Sequence, residues 1–197
     1  MGRPRAKEQE VRTSQRLLEA AELEFGRKGF DRARLADIAK HAGISRPSLL
    51  YHYKSKDELY AAVVRTAFQR LGTTLVQALS GDGEFFQRIE RTVELFDGFL
   101  AEHKFMATMF LRELVDGHGP GRDLLTAAGV PILDKVEEYA KAEGYHFVRG
   151  DVPIRVALMQ IISGMIVHSA AGNLRQPLWG QNDNYAGHLA RLLIKGT

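Results

Sequence analysis

The sequence predicts an all-α protein of about nine helices. Apolar residues recur at spacings of three and four along nearly the whole chain. Gly, Pro and Ser/Asp signals bound those stretches, and no alternating strand pattern runs longer than a few residues. The 197 residues are 45% hydrophobic and 26% charged, the composition of a chain that buries a core.

Val11, Leu18, Ala21 and Phe25 mark a first helix, with Gly29 where it would stop. Leu35, Ile38, Ala39 and Ala42 mark a short second helix ending at Gly43. Ser45 can cap a third, with Pro47 tolerated in its first turn. Ser55 caps a longer fourth helix, with Tyr60, Val64, Ala67, Leu71, Leu75 and Ala78 on its apolar line and Ser80-Gly81 at its end. A fifth helix runs through Phe86, Ile89, Val93, Phe96 and Leu100. A sixth carries Phe105, Met106, Met109, Phe110 and Leu114 and stops in Asp116-Gly117. The seventh, from Leu125 to Tyr139, is expected to kink or break at Pro131. The eighth begins near Asp151-Val152-Pro153 and is apolar nearly all round, so it needs burial on more than one side. The ninth spans 185–194.

Charge divides the chain. Residues 1–56 hold 13 Lys and Arg against 7 Asp and Glu, and the remainder holds 14 against 17. A basic head on a mildly acidic body suggests that the first quarter meets a polyanion. We divide the chain into a flexible basic arm (1–10), a helical head (11–54) and a larger helical body (55–197).

The absence of cysteine excludes disulfide scaffolds, thiolate zinc sites and cysteine nucleophiles. No G-x-S-x-G, phosphate-cradling Gly loop or H-E-x-x-H occurs, so an enzyme is not expected. No cofactor and no metal are expected either. With no apolar run long enough for a membrane span and no secretory signal, the expectation is a cytoplasmic protein without membrane contact.

Chemistry becomes specific in the second and third helices. A turn holding Gly43, small residues where two helices cross, and a third helix with a free first turn give helix-turn-helix geometry. Ser45, Arg46, Pro47 and Ser48 lie at the leading edge, where polar groups reach base edges in a major groove. Tyr51, His52 and Lys56 surround them as candidate phosphate contacts, Lys56 beside the free amides at the start of the fourth helix. In the arm, Arg3 and Arg5 suit an adjacent minor groove, although a solvated tail is an equal alternative.

The run Leu35-Ala36-Asp37-Ile38-Ala39-Lys40-His41-Ala42-Gly43-Ile44-Ser45, continuing Arg46-Pro47-Ser48-Leu49-Leu50-Tyr51-His52-Tyr53-Lys54-Ser55-Lys56-Asp57-Glu58-Leu59, resembles the signature of the tetracycline-repressor family. The residues from Ala20 to Phe30 resemble that family's first helix and its exit. The match covers about the first 60 residues. Arg34 stands where the family usually opens its second helix with Ser or Thr, and is a further candidate for DNA contact.

The resemblance implies a homodimeric regulator, most often a repressor, that binds double-stranded operator DNA and is released by a small-molecule effector. It also implies dimerisation through the last two long helices and a ligand cavity among the fifth to eighth. Ala157, Ile161, Gly164, Ala171, Leu189 and Leu193 are the candidate interface residues. Phe96, Phe99, Met106, Met109, Phe110, Tyr139, Met165 and His168 are the candidate pocket residues for a mostly apolar guest. Aromatics at helical spacing more often build plain core, and a histidine in an apolar run is more often hydrogen-bonded core. An architectural DNA-binding dimer without ligand control is the alternative; the size of the body argues against it.

Overall fold

The computed structural model describes residues 6–103, 106–116, 121–144, 153–181, 185, 187 and 188, with the backbone alone for residues 6–8 and 116. Among the described residues every regular element is a helix. In chain order these are α1 (Ala6–Arg32), α2 (Leu35–His41), α3 (Arg46–His52), α4 (Lys56–Ser80), α5 (Phe85–Glu102), α6 (Met106–Asp116), α7 (Gly121–Glu143), α8 (Ile154–Ala170) and α9 (Arg175–Trp179).

The head is α1, α2 and α3. Gly29 sits at φ 75°, ψ 170°, so the regular helix of α1 breaks where the sequence places a stop. The α2–α3 turn favours Gly43 for its left-handed φ of 69° and not for space, since a Cβ there would meet no neighbour within 4 Å. Ser45 accepts a hydrogen bond from the Ser48 amide, and Ser55 accepts one from the Glu58 amide at the start of α4. Leu17, Ala21, Phe25, Ile38, Ala39 and Leu49 close the head's core. Burying each large side chain contributes about 1.5–3 kcal/mol.

The long α4 runs from head to body, with Leu59 and Tyr60 buried near its start and Leu71 and Leu75 buried farther on. Gly72 of α4 lets α7 approach: a Cβ there would stand 3.1 Å from Ile132 Cδ1. Arg155 of α8 ties to α7 through Glu137, with Nε to Oε2 at 2.6 Å, and through Asp134.

Three expectations change. The first helix starts at Ala6, so the last five residues of the basic arm are helical. Pro131 does not break α7. Proline costs one backbone hydrogen bond and a clash, and packing against α4 and α8 holds the rest of the 23-residue helix together. The chain after α8 turns through a 3-10 segment, Gly172–Leu174, into α9, an element the apolar spacing did not signal. Most of the expected 185–194 helix, including Leu189 and Leu193, lies outside the described residues, as do Arg3, Arg5 and Phe105. No single described helix is long and apolar enough to cross a membrane.

Candidate nucleic-acid interface and ligand cavity

The leading edge of α3 is open. Ser45, Arg46 and Pro47 are exposed, and Tyr51 is 78% exposed, held edge-on to His52 with ring centroids 5.6 Å apart. Ser48 is half-buried and its amide is used by the Ser45 cap. Arg34 is exposed at the N-cap of α2 and makes no side-chain capping bond there. The structure therefore brings Arg34, Ser45, Arg46, Pro47, Ser48, Tyr51 and His52 onto the α2–α3 unit.

Lys56 departs from the sequence reading. Its ammonium donates to the carbonyl oxygens of Phe30, Asp31 and Ala33 at 2.8, 3.1 and 3.4 Å, and lies 4.4 Å from the Phe30 ring centroid. An ammonium has three protons to donate, and these are directed at the α1–α2 turn rather than outward. In this geometry Lys56 positions the head.

Two buried acids in the head–body region also escaped the sequence reading. Glu24, 2% exposed, meets Lys28 Nζ at 2.5 Å, and Lys28 reaches on to Asp37 of α2 at 3.0 Å. The hydrogen bonds that Lys28 donates to Glu24 and Asp37 raise its pKa, and Lys28 in turn lowers that of Asp37. Glu113, 8% exposed, accepts a hydrogen bond from the Tyr60 hydroxyl at 2.5 Å. Burial, then Glu113 itself, pushes the Tyr60 phenol well above its ordinary value. A charged residue at a helical core position was the available signal for both acids.

The body holds a cavity of about 400 Å³, open to the surface past Leu114, Val130 and Met159 and walled by α4, α5, α6, α7 and α8. Phe68, Leu75, Ile89, Val93, Leu125 and Val136 line it together with Phe96, Phe110 and Met165. Among the described lining residues the only polar side chains are Thr92 and Thr126, and none is charged. Five other expected pocket residues lie elsewhere. Met106 and Met109 are buried core outside the lining. Phe99 stacks behind Phe96, centroids 6.5 Å apart, and lies tilted against His103 in a separate groove. Tyr139 stacks on Phe85, centroids 5.8 Å apart. His168 is buried, stacks on Tyr185 at 4.2 Å and meets Trp179 edge-on, and burial lowers its pKa.

The expected interface residues divide likewise. Ile161 is 5% exposed in the protomer and lines the cavity. Ala157, Gly164 and Ala171 are half-buried. The apolar face α8 leaves uncovered runs through Val156 (56% exposed) and Val167 (41%), with Leu174 and Leu178 beyond, while Met159 (40%) stands at the rim of the cavity.

The α2–α3 unit has the form of a helix-turn-helix, which places its second helix in a DNA major groove, and the long α4 joins it to a helical body with a cavity. Residues 17–63 match the family model of the bacterial regulatory proteins of the tetR family. The chain is 38% identical over 92 residues to the HTH-type transcriptional activator FasR from Mycolicibacterium smegmatis, covering 47% of this chain and 41% of FasR. The matched segment thus spans less than half of that relative. The fold is that of solved regulators: the fatty acid degradation regulator FadR from Bacillus halodurans superposes with TM-score 0.75 at 16% identity, covering 92% of this chain and 94% of that one. The transcriptional regulator FadR from Bacillus subtilis, in complex with stearoyl-CoA, gives 0.73 at 14% identity over 93% and 98%.

Proposed function

We propose that the protein is a dimeric, ligand-responsive repressor: it binds a palindromic operator through α3 and leaves it when a mostly apolar small molecule fills the body. The observation that carries this reading is the cavity. A volume of about 400 Å³ is within the usual range of small-molecule sites, roughly 300–1,000 Å³, and its walls offer apolar surface with two hydroxyls to orient a guest. An uncharged guest, or the apolar chain of an amphiphile, fits such a lining, because a buried unpaired charge would be costly. The stearoyl-CoA bound by Bacillus subtilis FadR is a precedent for an acyl guest on this fold.

The dimer reading rests on the uncovered apolar face of α8 and on the symmetry of palindromic recognition. Two α3 helices in successive major grooves require a spacing of about 34–36 Å or a multiple of it. A purely architectural DNA-binding dimer would have no use for the cavity. The test is a selection of binding sites from a random duplex pool, followed by a thermal-shift screen of apolar metabolites and operator-release assays on the hits. A palindromic site and a hit that releases it are expected. A protein that binds its site equally well with every stabilising hit would leave only the architectural reading.

A further inference from the structure

Two pairs of polar side chains cross between α1 and α2. Glu24 and Lys28 stand one turn apart on α1, and Asp37 and His41 stand one turn apart on α2. Lys28 Nζ reaches Asp37 Oδ2 at 3.0 Å, and His41 Nδ1 lies 4.0 Å from Glu24 Oε2. Glu24 Oε1 closes the set against Lys28 Nζ at 2.5 Å. Lys28 and His41 are exposed and Asp37 is half-buried, so Glu24 is the one member held in the head's interior.

Stability does not account for an acid there. Taking a carboxylate out of water is costly, and well-packed apolar residues commonly equal or exceed a buried ion pair in stability. What apolar packing leaves open is the rotation of α2. This helix has seven residues, too few to hold itself, and no side-chain cap at Arg34. Its buried face is Ile38 and Ala39, with Ala42 just beyond, and the two alanines give α1 little ridge to grip. The contacts at Asp37 and His41 hold α2 near its two ends. The His41 end is coupled to α3, because the Gly43 amide donates to the Lys40 carbonyl at 3.1 Å and the Ile44 amide to the Ala39 carbonyl at 3.0 Å. A rotation of α2 therefore carries α3 with it.

We propose that Glu24 is a positioning residue for base reading: it holds Lys28 on Asp37, faces His41, and so fixes the angle at which α3 meets a major groove. The role presupposes that α3 reads operator DNA. Base edges are read by hydrogen bonds that weaken steeply with misalignment, whereas attraction to phosphate tolerates it. Loss of Glu24 should thus cost discrimination between sequences more than attraction to DNA.

The experiment compares full-length wild type with Glu24→Leu, each titrated at one salt concentration with the selected operator duplex and with a scrambled duplex of the same length, alongside thermal unfolding. In the variant the ratio of operator to scrambled affinity should fall about 5- to 150-fold, the discrimination that one bidentate base contact supplies. Affinity for the scrambled duplex should be kept, and the melting temperature should hold or rise. If Glu24→Leu does not fold, Glu24→Gln, which keeps the shape and removes the charge, carries the same comparison. Two affinities that fall in step with the melting temperature mean that Glu24 serves the fold alone, and overturn the proposal. An unchanged ratio in a stable variant overturns it as well. A wild type that prefers no duplex over another overturns the reading of α3 itself, and this inference with it.

Discussion

The Lys56 ammonium lies 2.8 Å from the Phe30 carbonyl oxygen and 4.4 Å from the centroid of the same residue's ring. One cation thus grips both the backbone and the side chain at the point where α1 gives way to α2. The start of α4 is thereby fixed to the far side of the head, so α2 and α3 are carried on a joint with defined geometry.

Replacing Lys56 with Ala should therefore act on stability first. Three carbonyls lose their donor, and hydrogen bonds to a charged group contribute about 1.5–3 kcal/mol net, so a loss of about 1–3 kcal/mol in urea unfolding is expected. The slope of log affinity against log salt on operator DNA should stay near the wild-type value. A slope shallower by about 0.9 with stability intact would return Lys56 to the phosphate contacts.

Arg46 is the opposite case, exposed at the leading edge of α3. Arg46→Ala should relax base preference at one position in each half-site, at a cost of about 1–3 kcal/mol if the contact is bidentate. Site selection repeated with the variant checks this. An unchanged preferred sequence would mean that α3 is docked differently.

What could be read in the sequence was what short-range signals specify. Gly43, Ser45 and Ser55 act within a few residues of themselves, so the α2–α3 turn and the start of α4 fall where they were expected. Spacing of Phe and Met identifies the buried side of a helix but not which buried residues border a void. Phe96 and Phe110 face the cavity while Phe99 and Met109 do not, and only the assembled helices distinguish them. Lys56 and Arg112 reach carbonyls 23 to 87 positions away, which no local pattern encodes. Pro131 does not end α7 because its local cost, though real, is outweighed by packing contributed by other helices.

Met165 is fully buried and lines the cavity. Met165→Ala should destabilise the protein by about 2–5 kcal/mol, by the usual cost of removing a large buried side chain. It should also admit bulkier apolar guests, since the vacated space joins an existing cavity. Thermal-shift ranking of a size series of hydrocarbons checks both; an unchanged size preference would place the bound guest away from α8.

Along α8, Val156 and Val167 are exposed apolar residues on an otherwise core-forming helix. Val167→Glu, or Val156→Glu, should convert a dimer to a monomer while leaving the monomer's own core untouched, because neither side chain is buried in the protomer. Light scattering with size-exclusion chromatography measures this. A stable dimer in both variants would put the interface elsewhere.

Tyr60 makes an alkaline prediction. Burial and the adjacent Glu113 carboxylate both oppose phenolate formation, so the folded pKa is raised above the unfolded value of about 10. Above pH 10 the unfolded chain gives up this proton and the folded one keeps it, so the contribution to stability is complete below pH 10 and lost as pH rises further. One such group gives a slope of at most about 1.4 kcal/mol per pH unit. Tyr60→Phe should remove that part of the decline in denaturant titrations between pH 9.5 and pH 11. The variant will be less stable at neutral pH, because the buried Glu113 oxygen loses its donor. Comparing slopes rather than absolute stabilities separates the two effects. An alkaline slope identical in wild type and variant would mean that Tyr60 titrates freely, and that the short contact to Glu113 does not persist in solution.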